Sequence, residues 1–332
     1  MAKPKALFIL NEGSYSQIYG PKQRAAIDEL VDIYALPQTA ASVKENPGIL
    51  KDAEIVFSGW GAPKMDAEFL AAAENLKAVF YGAGSVKGMA TDELWDREVT
   101  VTSSWGANAI PVIEYTLAQI LFSLKHGWQY ALTIKRDGAY PRKQVVPGAY
   151  GSTVAIISLG MIGRGVCEHL KRFDVNVIAY DPFAKPEMAE ELGVELVSLE
   201  DAFAKADVVS LHTPWLKETE NMIQGAHFRL MKDGATFINT ARGAVVDEPA
   251  MIEVLQDRPD LFALLDVTYP EPPKPESPLY TLPNVILTPH IAGSMSNECR
   301  RMGQYAVDEC RRYLNGEPLQ WQVTRELAAK LA

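Results

Sequence analysis

Residues 153–165 read Thr153-Val154-Ala155-Ile156-Ile157-Ser158-Leu159-Gly160-Met161-Ile162-Gly163-Arg164-Gly165. The run Thr153–Ser158 is apolar and β-branched, which predicts a buried strand, and Ile162–Phe173 predicts the helix that follows it. Between the two, Gly160 lets a backbone approach a pyrophosphate, while Gly163 lets the helix pack closely on the strand. The N–H groups opening that helix then face the phosphates, with Met161 and Ile162 in the turn. This is a dinucleotide-binding fingerprint in strand–turn–helix context, with one departure. Its first position is Ser158, and serine tolerates fewer backbone conformations than the glycine of the pattern. A plain strand-to-helix turn is the competing reading.

The next predicted strand, Val175–Tyr180, ends at Asp181, 18 residues beyond Gly163. A carboxylate there accepts hydrogen bonds from both ribose hydroxyls of NAD and repels the 2′-phosphate of NADP. An acidic cap on the turn before Pro182 is the simpler alternative. Further along, apolar runs recur at Asp207–Leu211, Thr236–Asn239, Leu261–Val267 and Val285–Leu287, with a helical stretch at Ala202–Ala206. Strands apolar on both faces suit a parallel sheet covered by helices on each side. The first half repeats this grammar less clearly, at Ala6–Leu10, Ile55–Ser58, Ala78–Tyr81 and Val99–Thr102.

Two helices are candidates for crossing between halves. One opens at Asn108-Ala109-Ile110-Pro111, with proline in its first turn and Ile113, Leu117, Ile120, Leu121 and Leu124 on one face. The other carries Met302, Ala306, Cys310 and Tyr313 on one face and stops at Asn315-Gly316. Each also reads as an ordinary core helix.

A length of 332 residues makes two domains the expectation. The 32 basic and 42 acidic residues leave a net charge of −10, which argues against nucleic acid or an anionic membrane as partner. Cys167, Cys299 and Cys310 are an odd number without metal-ligand spacing, so neither a disulfide framework nor a metal site is expected. The apolar run Ala6–Leu10 is too short for a signal peptide, and Ala109–Leu124 contains Glu114 and Gln119 and is too short to span a bilayer. A cytoplasmic protein is the resulting expectation. The chain ends soon after its last helix, so no further C-terminal regulatory domain is expected.

With only five histidines, the search for an acid–base group is short. His169 and His227 lie in helical stretches and His126 at a helix end, where structural roles are the simpler reading. His212, in Leu211-His212-Thr213-Pro214, and His290, in Thr288-Pro289-His290-Ile291-Ala292-Gly293, follow the carboxyl ends of strands. Ligands of open α/β sheets bind outside that edge. Arg242, in Asn239-Thr240-Ala241-Arg242-Gly243, and Glu271, beyond Asp266-Val267, arrive at the same edge. Each alone reads as a solvated loop charge; together, an arginine, a carboxylate and a histidine converge beside a nicotinamide.

From Gly151 to Gly293 this ordered set of motifs resembles the NAD-binding half of the D-isomer specific 2-hydroxyacid dehydrogenase family. Tyr81-Gly82-Ala83-Gly84-Ser85 and Gly106-Ala107-Asn108-Ala109 resemble its substrate domain more loosely. The resemblance implies an α/β protein of two Rossmann-like domains with a cleft between them. Residues 1–110 plus 294–332 would form a flavodoxin-like substrate domain, and 111–293 the NAD-binding domain. It implies NAD as cofactor, held by Gly160, Met161, Ile162, Gly163, Asp181, His212, Thr213, Pro214, Thr240, Ala241, Arg242, Asp266, His290 and Gly293. In this set Asp266 would contact the nicotinamide amide. Arg242 binds the substrate carboxylate and polarises the keto group. His290 is the acid in ketone reduction and the base in alcohol oxidation, and Glu271 pairs with it and favours the imidazolium. Backbone N–H groups of Ala83, Gly84 and Ser85 hold the carboxylate as well. The partner is a small 2-keto or 2-hydroxy acid, and a homodimer is expected, with the helix from Asn108 as a contact.

The implied activity is interconversion of a 2-keto acid and its D-2-hydroxy acid by hydride transfer. A corepressor-like NAD(H) sensor of the same fold, with little turnover, is the alternative. An alanine dehydrogenase or a homocysteine-releasing hydrolase is disfavoured by the order Arg242, Glu271, His290. Trp215 stands where the family commonly has a smaller aliphatic residue; Trp215, Trp105 and Trp60 either narrow the pocket or fill core space. Six prolines between Pro270 and Pro283 predict a stiff loop carrying Glu271.

Overall fold

A computed structural model describes residues 3–330. The chain divides into two compact units, one running to Ala109 and resuming at Ser294, the other comprising Ile110–Gly293.

In the first unit, β1 (Lys5–Ile9), β2 (Asp32–Ile33), β3 (Ile55–Ser58), β4 (Ala78–Tyr81) and β5 (Thr100–Ser103) form a parallel sheet in the order β2-β1-β3-β4-β5. Every residue of β3 and β4 is buried, as expected of strands covered on both faces. The strand β2 carries no apolar run, so periodicity gave no sign of it. The helix Cys299–Asn315 rejoins this unit by burying Cys299, Met302, Ala306, Val307 and Cys310 in the core beside Phe8, Phe57 and Phe80. Its approach is close, because a Cβ on Gly303 would lie 2.1 Å from the Ile18 carbonyl oxygen. The chain beyond it is tied back by Glu309, only 1 % exposed, whose carboxylate accepts from Trp321 N at 2.9 Å and Arg312 Nη1 at 2.7 Å. Gly316 ends that helix at φ 69°, the left-handed cap that Asn315-Gly316 predicts.

The second unit holds β6 (Thr153–Ile157), β7 (Asn176–Tyr180), β8 (Glu195–Leu196), β9 (Val208–Leu211), β10 (Thr236–Asn239), β11 (Phe262–Leu265) and β12 (Val285–Leu287). All pair in parallel, in the order β12-β11-β10-β9-β6-β7-β8. The order reverses beside β6, and ligands of open α/β sheets bind at such a switch point. One face packs Phe203, Phe228 and Phe237 together, with ring centroids 4.9–6.1 Å apart. Aromatic pairs of this kind add about 0.5–1.5 kcal/mol each beyond their buried area.

One helix boundary differs from expectation. The helix predicted to open at Asn108 begins instead at Trp105 and runs to Ser123, leaving Pro111 inside it. Ser103 Oγ accepts from Trp105 N at 3.3 Å, and Asn108 N donates to Ser104 O at 3.1 Å, so the first turn is already made before the proline. Pro111 then omits one bond near Ala109–Ile110, where the chain leaves one unit for the other. Among the described residues no single helix is long and apolar enough to cross a membrane. Trp105–Ser123 and Gly127–Asp137 pass that test only as a pair bent by 66°.

Candidate active site

The turn after β6 explains the departure at Ser158. This residue has φ 77°, in the left-handed region that favours glycine. A serine is held there by two partners: its N–H donates to Tyr180 O at 2.7 Å, and its hydroxyl meets Thr213 Oγ1 at 2.7 Å. The loop after β6 is therefore joined to the loop after β9, a link that a glycine would lack. Gly163 is required for packing, since a Cβ there would lie 2.1 Å from Ser158 O. Gly160 differs, because a Cβ on it would meet nothing within 4 Å. The open space at Gly160 adjoins the start of the helix Met161–Leu170, whose first-turn N–H groups have no partner within the helix.

Asp181 makes the turn cap that was the simpler reading of its position, together with a brace to the glycine turn that its spacing did not disclose. Its Oδ2 accepts from Leu159 N at 2.7 Å and its Oδ1 from Phe183 N at 2.8 Å. The carboxylate thus braces the glycine turn and caps the turn before Phe183, while standing at the end of β7 beside the switch point. An open Gly160 face, a close-packed Gly163, an exposed helix start and an adjacent carboxylate together fit a dinucleotide.

The loops after β10, β11 and β12 bring Arg242, Glu271 and His290 to the same sheet edge. Asn239 shapes the first of these loops: its Oδ1 accepts from Ala241 N at 2.9 Å, and its Nδ2 donates to Arg242 O at 3.1 Å. An asparagine closing a turn on its own backbone is a recognisable signal, though sequence reasoning did not single it out. Thr240 is similarly fixed, by a 3.0 Å hydroxyl contact with Thr116. Gly243 lies directly on the next loop, since a Cβ there would fall 2.0 Å from the Thr268 carbonyl carbon. Arg242 donates from Nη1 to Ala241 O at 2.6 Å. Burial lowers the pKa of its guanidinium, and the nearby Glu271 carboxylate partly offsets this.

His290 Nδ1 lies 2.6 Å from Glu271 Oε1, and both side chains are about half exposed. Its backbone has φ 54°, a conformation uncommon for a residue with a side chain. Asp266 imposes it. The His290 N–H donates to the Asp266 carbonyl at 3.0 Å, and the buried Asp266 carboxylate accepts from Thr288 Oγ1 at 2.6 Å and from Ile291 N and Ala292 N at 2.9 Å each. Thr288 spends its only hydroxyl proton on Asp266, so it accepts from Tyr115 across their 3.1 Å contact. The Asp266 carboxylate therefore builds the His290 turn, whatever else it contacts.

His212 lies at this edge with its imidazole buried, Nε2 being 3.0 Å from Ser210 Oγ. Burial pushes its pKa down from the usual 6.5 to about 3, so it is neutral in the folded protein. Protons then bind preferentially to the unfolded chain as pH falls below about 6.5. This stabilising contribution is complete above that pH and is lost progressively toward pH 3. Urea unfolding at pH 7, 5.5 and 4.5 is expected to show wild-type stability falling faster than that of His212→Asn, by up to about 1.4 kcal/mol per pH unit. Identical slopes would remove His212 as a cause of acid sensitivity.

Ala83, Gly84 and Ser85 follow β4 in the other unit. There Ser103 Oγ donates to Ala83 O at 2.9 Å, Lys87 N donates to Ser85 Oγ at 3.4 Å, and Asn108 Oδ1 accepts from Ser294 N at 2.9 Å. Trp60 packs against the cores of that unit, and Trp105 makes a T-shaped contact with Trp321, ring centroids 5.2 Å apart. Trp215 is 39 % exposed and does not fill core space.

Residues 117–292 match the family described as D-isomer specific 2-hydroxyacid dehydrogenase, NAD binding domain. A D-3-phosphoglycerate dehydrogenase of Archaeoglobus fulgidus is 35 % identical over 77 % of this chain, and the chain spans about half (49 %) of that relative's length. A glyoxylate reductase of Korarchaeum cryptofilum is 32 % identical over 81 % of this chain and 82 % of its own. The crystal structure of a D-isomer specific 2-hydroxyacid dehydrogenase from Lactobacillus delbrueckii ssp. bulgaricus, in its NAD-complexed form, superposes with a TM-score of 0.81 at 25 % identity, covering 96 % of this chain and 100 % of that one. With its glycine turn, its switch point and its Arg242, Glu271 and His290 at one sheet edge, the chain belongs to the D-isomer specific 2-hydroxyacid dehydrogenase family.

Proposed function

We propose that this protein is an NAD-dependent oxidoreductase that interconverts a small 2-keto acid and its D-2-hydroxy acid. The Glu271–His290 pair carries this reading, because it sits with Arg242 on successive loops at the carboxyl edge of the NAD-binding sheet. Bound NAD(H) supplies the hydride chemistry. Glu271 holds His290 Nδ1, which fixes the ring and leaves Nε2 to give a proton to the keto oxygen, or to take one from the alcohol. Arg242 offers a planar fork to the carboxylate from a partly desolvated position, where charge-assisted bonds are strong. Ala83, Gly84 and Ser85 supply further backbone donors to the carboxylate. Met161, Ile162, Thr213, Pro214, Ala241 and Gly293 lie in the turns assigned to NAD, with Gly160 and Gly163 shaping the phosphate turn and Asp181 facing the ribose.

A homodimer belongs to the same reading. Tyr140, Val145 and Tyr150, close together in the chain, are 89 %, 96 % and 87 % exposed in the single chain and offer large side chains for a second copy to cover. Phe122, on the helix that includes Asn108, is 44 % exposed. Three unpaired, buried cysteines suit a reducing, cytoplasmic setting.

The test is NADH oxidation against glyoxylate, hydroxypyruvate, pyruvate and branched or aromatic 2-keto acids, with NADPH run in parallel. Turnover with at least one keto acid is expected, with kcat/KM favouring NADH by about tenfold or more, since a carboxylate at Asp181 repels the 2′-phosphate. Tight NADH binding without turnover on any keto acid would favour a sensor, and a preference for NADPH would overturn the role given to Asp181.

A further inference from the structure

Trp215 and Tyr269 form an exposed aromatic pair, with ring centroids 5.3 Å apart and planes at 68°. Trp215 is 39 % exposed and Tyr269 51 % exposed, so their contact lies at the surface and not in the core. Trp215 belongs to the loop after β9 and Tyr269 to the loop after β11. These strands are not neighbours, because β10 lies between them and pairs with both. A contact joining the two outer loops therefore spans the strand whose own loop carries Arg242. Gly243 already rests on the Thr268 backbone, so the three loops are packed in series.

The Glu271 loop needs an anchor of this kind. Prolines at 270, 272, 273 and 275 have no N–H to donate, so the segment has few backbone donors with which to fix itself to the sheet. Side chains brace it from within and tie it at one point to the helix that holds Glu248. Thr268 Oγ1 donates to Pro270 O at 2.9 Å, Tyr280 Oη donates to Pro273 O at 3.1 Å, and Glu248 accepts from Tyr269 N at 3.0 Å. The loop on the Trp215 side is better held. Thr219 Oγ1 accepts from Leu216 N at 2.8 Å and donates to Pro214 O at 2.6 Å, while Thr213 joins Ser158 in the glycine turn. Residues 213–219 thus make a fixed post between the glycine turn and the Glu271 loop.

We propose that Trp215 is a positioning residue for the Glu271–His290 pair, acting through Tyr269 to hold the proline-rich loop in place beside the Arg242 turn. The inference rests on the dehydrogenase reading for its kinetic consequence, although the loop ordering itself does not. A leucine at this position keeps apolar bulk but loses the aromatic partner of the T-shaped contact with Tyr269, whereas phenylalanine keeps a ring.

The experiment compares Trp215→Leu, Trp215→Phe, Tyr269→Leu and the Trp215→Leu/Tyr269→Leu double variant. It measures kcat with NADH and the best keto acid, NADH Kd, and amide hydrogen exchange in residues 266–282. Trp215→Leu is expected to lower kcat about tenfold, because small misplacements of reacting groups are amplified in rate. NADH Kd should stay within about twofold and Trp215→Phe should keep kcat within about threefold of wild type, with the double variant no worse than either single one. Exchange in 266–282 should rise in both leucine variants, and Tyr269→Leu reports on this even should Trp215→Leu fail to fold. Unchanged exchange in 266–282, or single effects that multiply in the double variant, would overturn the proposal. A loss confined to NADH affinity would do so too. A wild-type protein inactive on every keto acid would instead remove the dehydrogenase reading, with the exchange measurement still deciding whether Trp215 orders the loop.

Discussion

Replacing Arg242 by alanine is expected to lower kcat/KM for 2-keto acids by about 10²- to 10³-fold, since loss of one member of a buried charged contact costs about 2–5 kcal/mol. Arg242 is partly desolvated, and Asn239 fixes the turn beneath it through both of its side-chain polar atoms. A guanidinium already partly desolvated and already oriented loses less on receiving a carboxylate, so more of that contact reaches the substrate. Arg242→Lys keeps a positive charge but not the planar fork, and its kcat/KM should fall between wild type and the alanine variant. NADH affinity should change less than kcat/KM in both. An unchanged kcat/KM in Arg242→Ala would remove Arg242 from substrate recognition.

For His290→Ala, kcat should fall by about 10²- to 10⁴-fold, the usual size of a general acid–base contribution. The 2.6 Å contact of Nδ1 with Glu271 Oε1 leaves Nε2 as the nitrogen that can exchange a proton with the substrate oxygen. Both side chains are roughly half exposed, so their contact adds little to stability, and the melting temperature should move only slightly. Kinetic and structural damage are thereby separable. His290→Ala with near-wild-type turnover on every accepted keto acid would show that the proton is handled elsewhere. Glu271→Gln should fall short of that loss, since the amide oxygen still accepts from Nδ1 and keeps the ring in place, through a neutral bond weaker than that of a carboxylate.

Both predictions depend on loops whose parts were legible to different degrees. The central strands of the second sheet announced themselves because strands buried on both faces are continuously apolar. Their carboxyl ends, and therefore Arg242, Glu271 and His290, could be found by counting along the chain. The strands β2 and β8 have two residues each and no apolar run, so nothing in composition marked them. The start of the helix at Trp105 was hidden because proline is favoured in a first turn, and only the Ser103 side chain and the Asn108 N–H bond to Ser104 O show that the turn had begun earlier.

The sequence by itself determined the α/β class, the glycine turn with its following acidic residue, and the edge at which charged residues gather. These follow from local rules: periodicity, the conformational freedom of glycine, and the place of loops after parallel strands. Tertiary structure alone decided what the individual side chains are for. Ser158 holds a left-handed turn because Thr213, 55 positions away, meets its hydroxyl. Asp266 builds the His290 turn because Thr288, Ile291 and Ala292 return to it, and Trp215 meets Tyr269 across β10 because the sheet order sets their two loops at one edge. A hydrogen bond or ring contact between residues far apart in sequence has no local signature, since it exists only once the sheet has set the strand order.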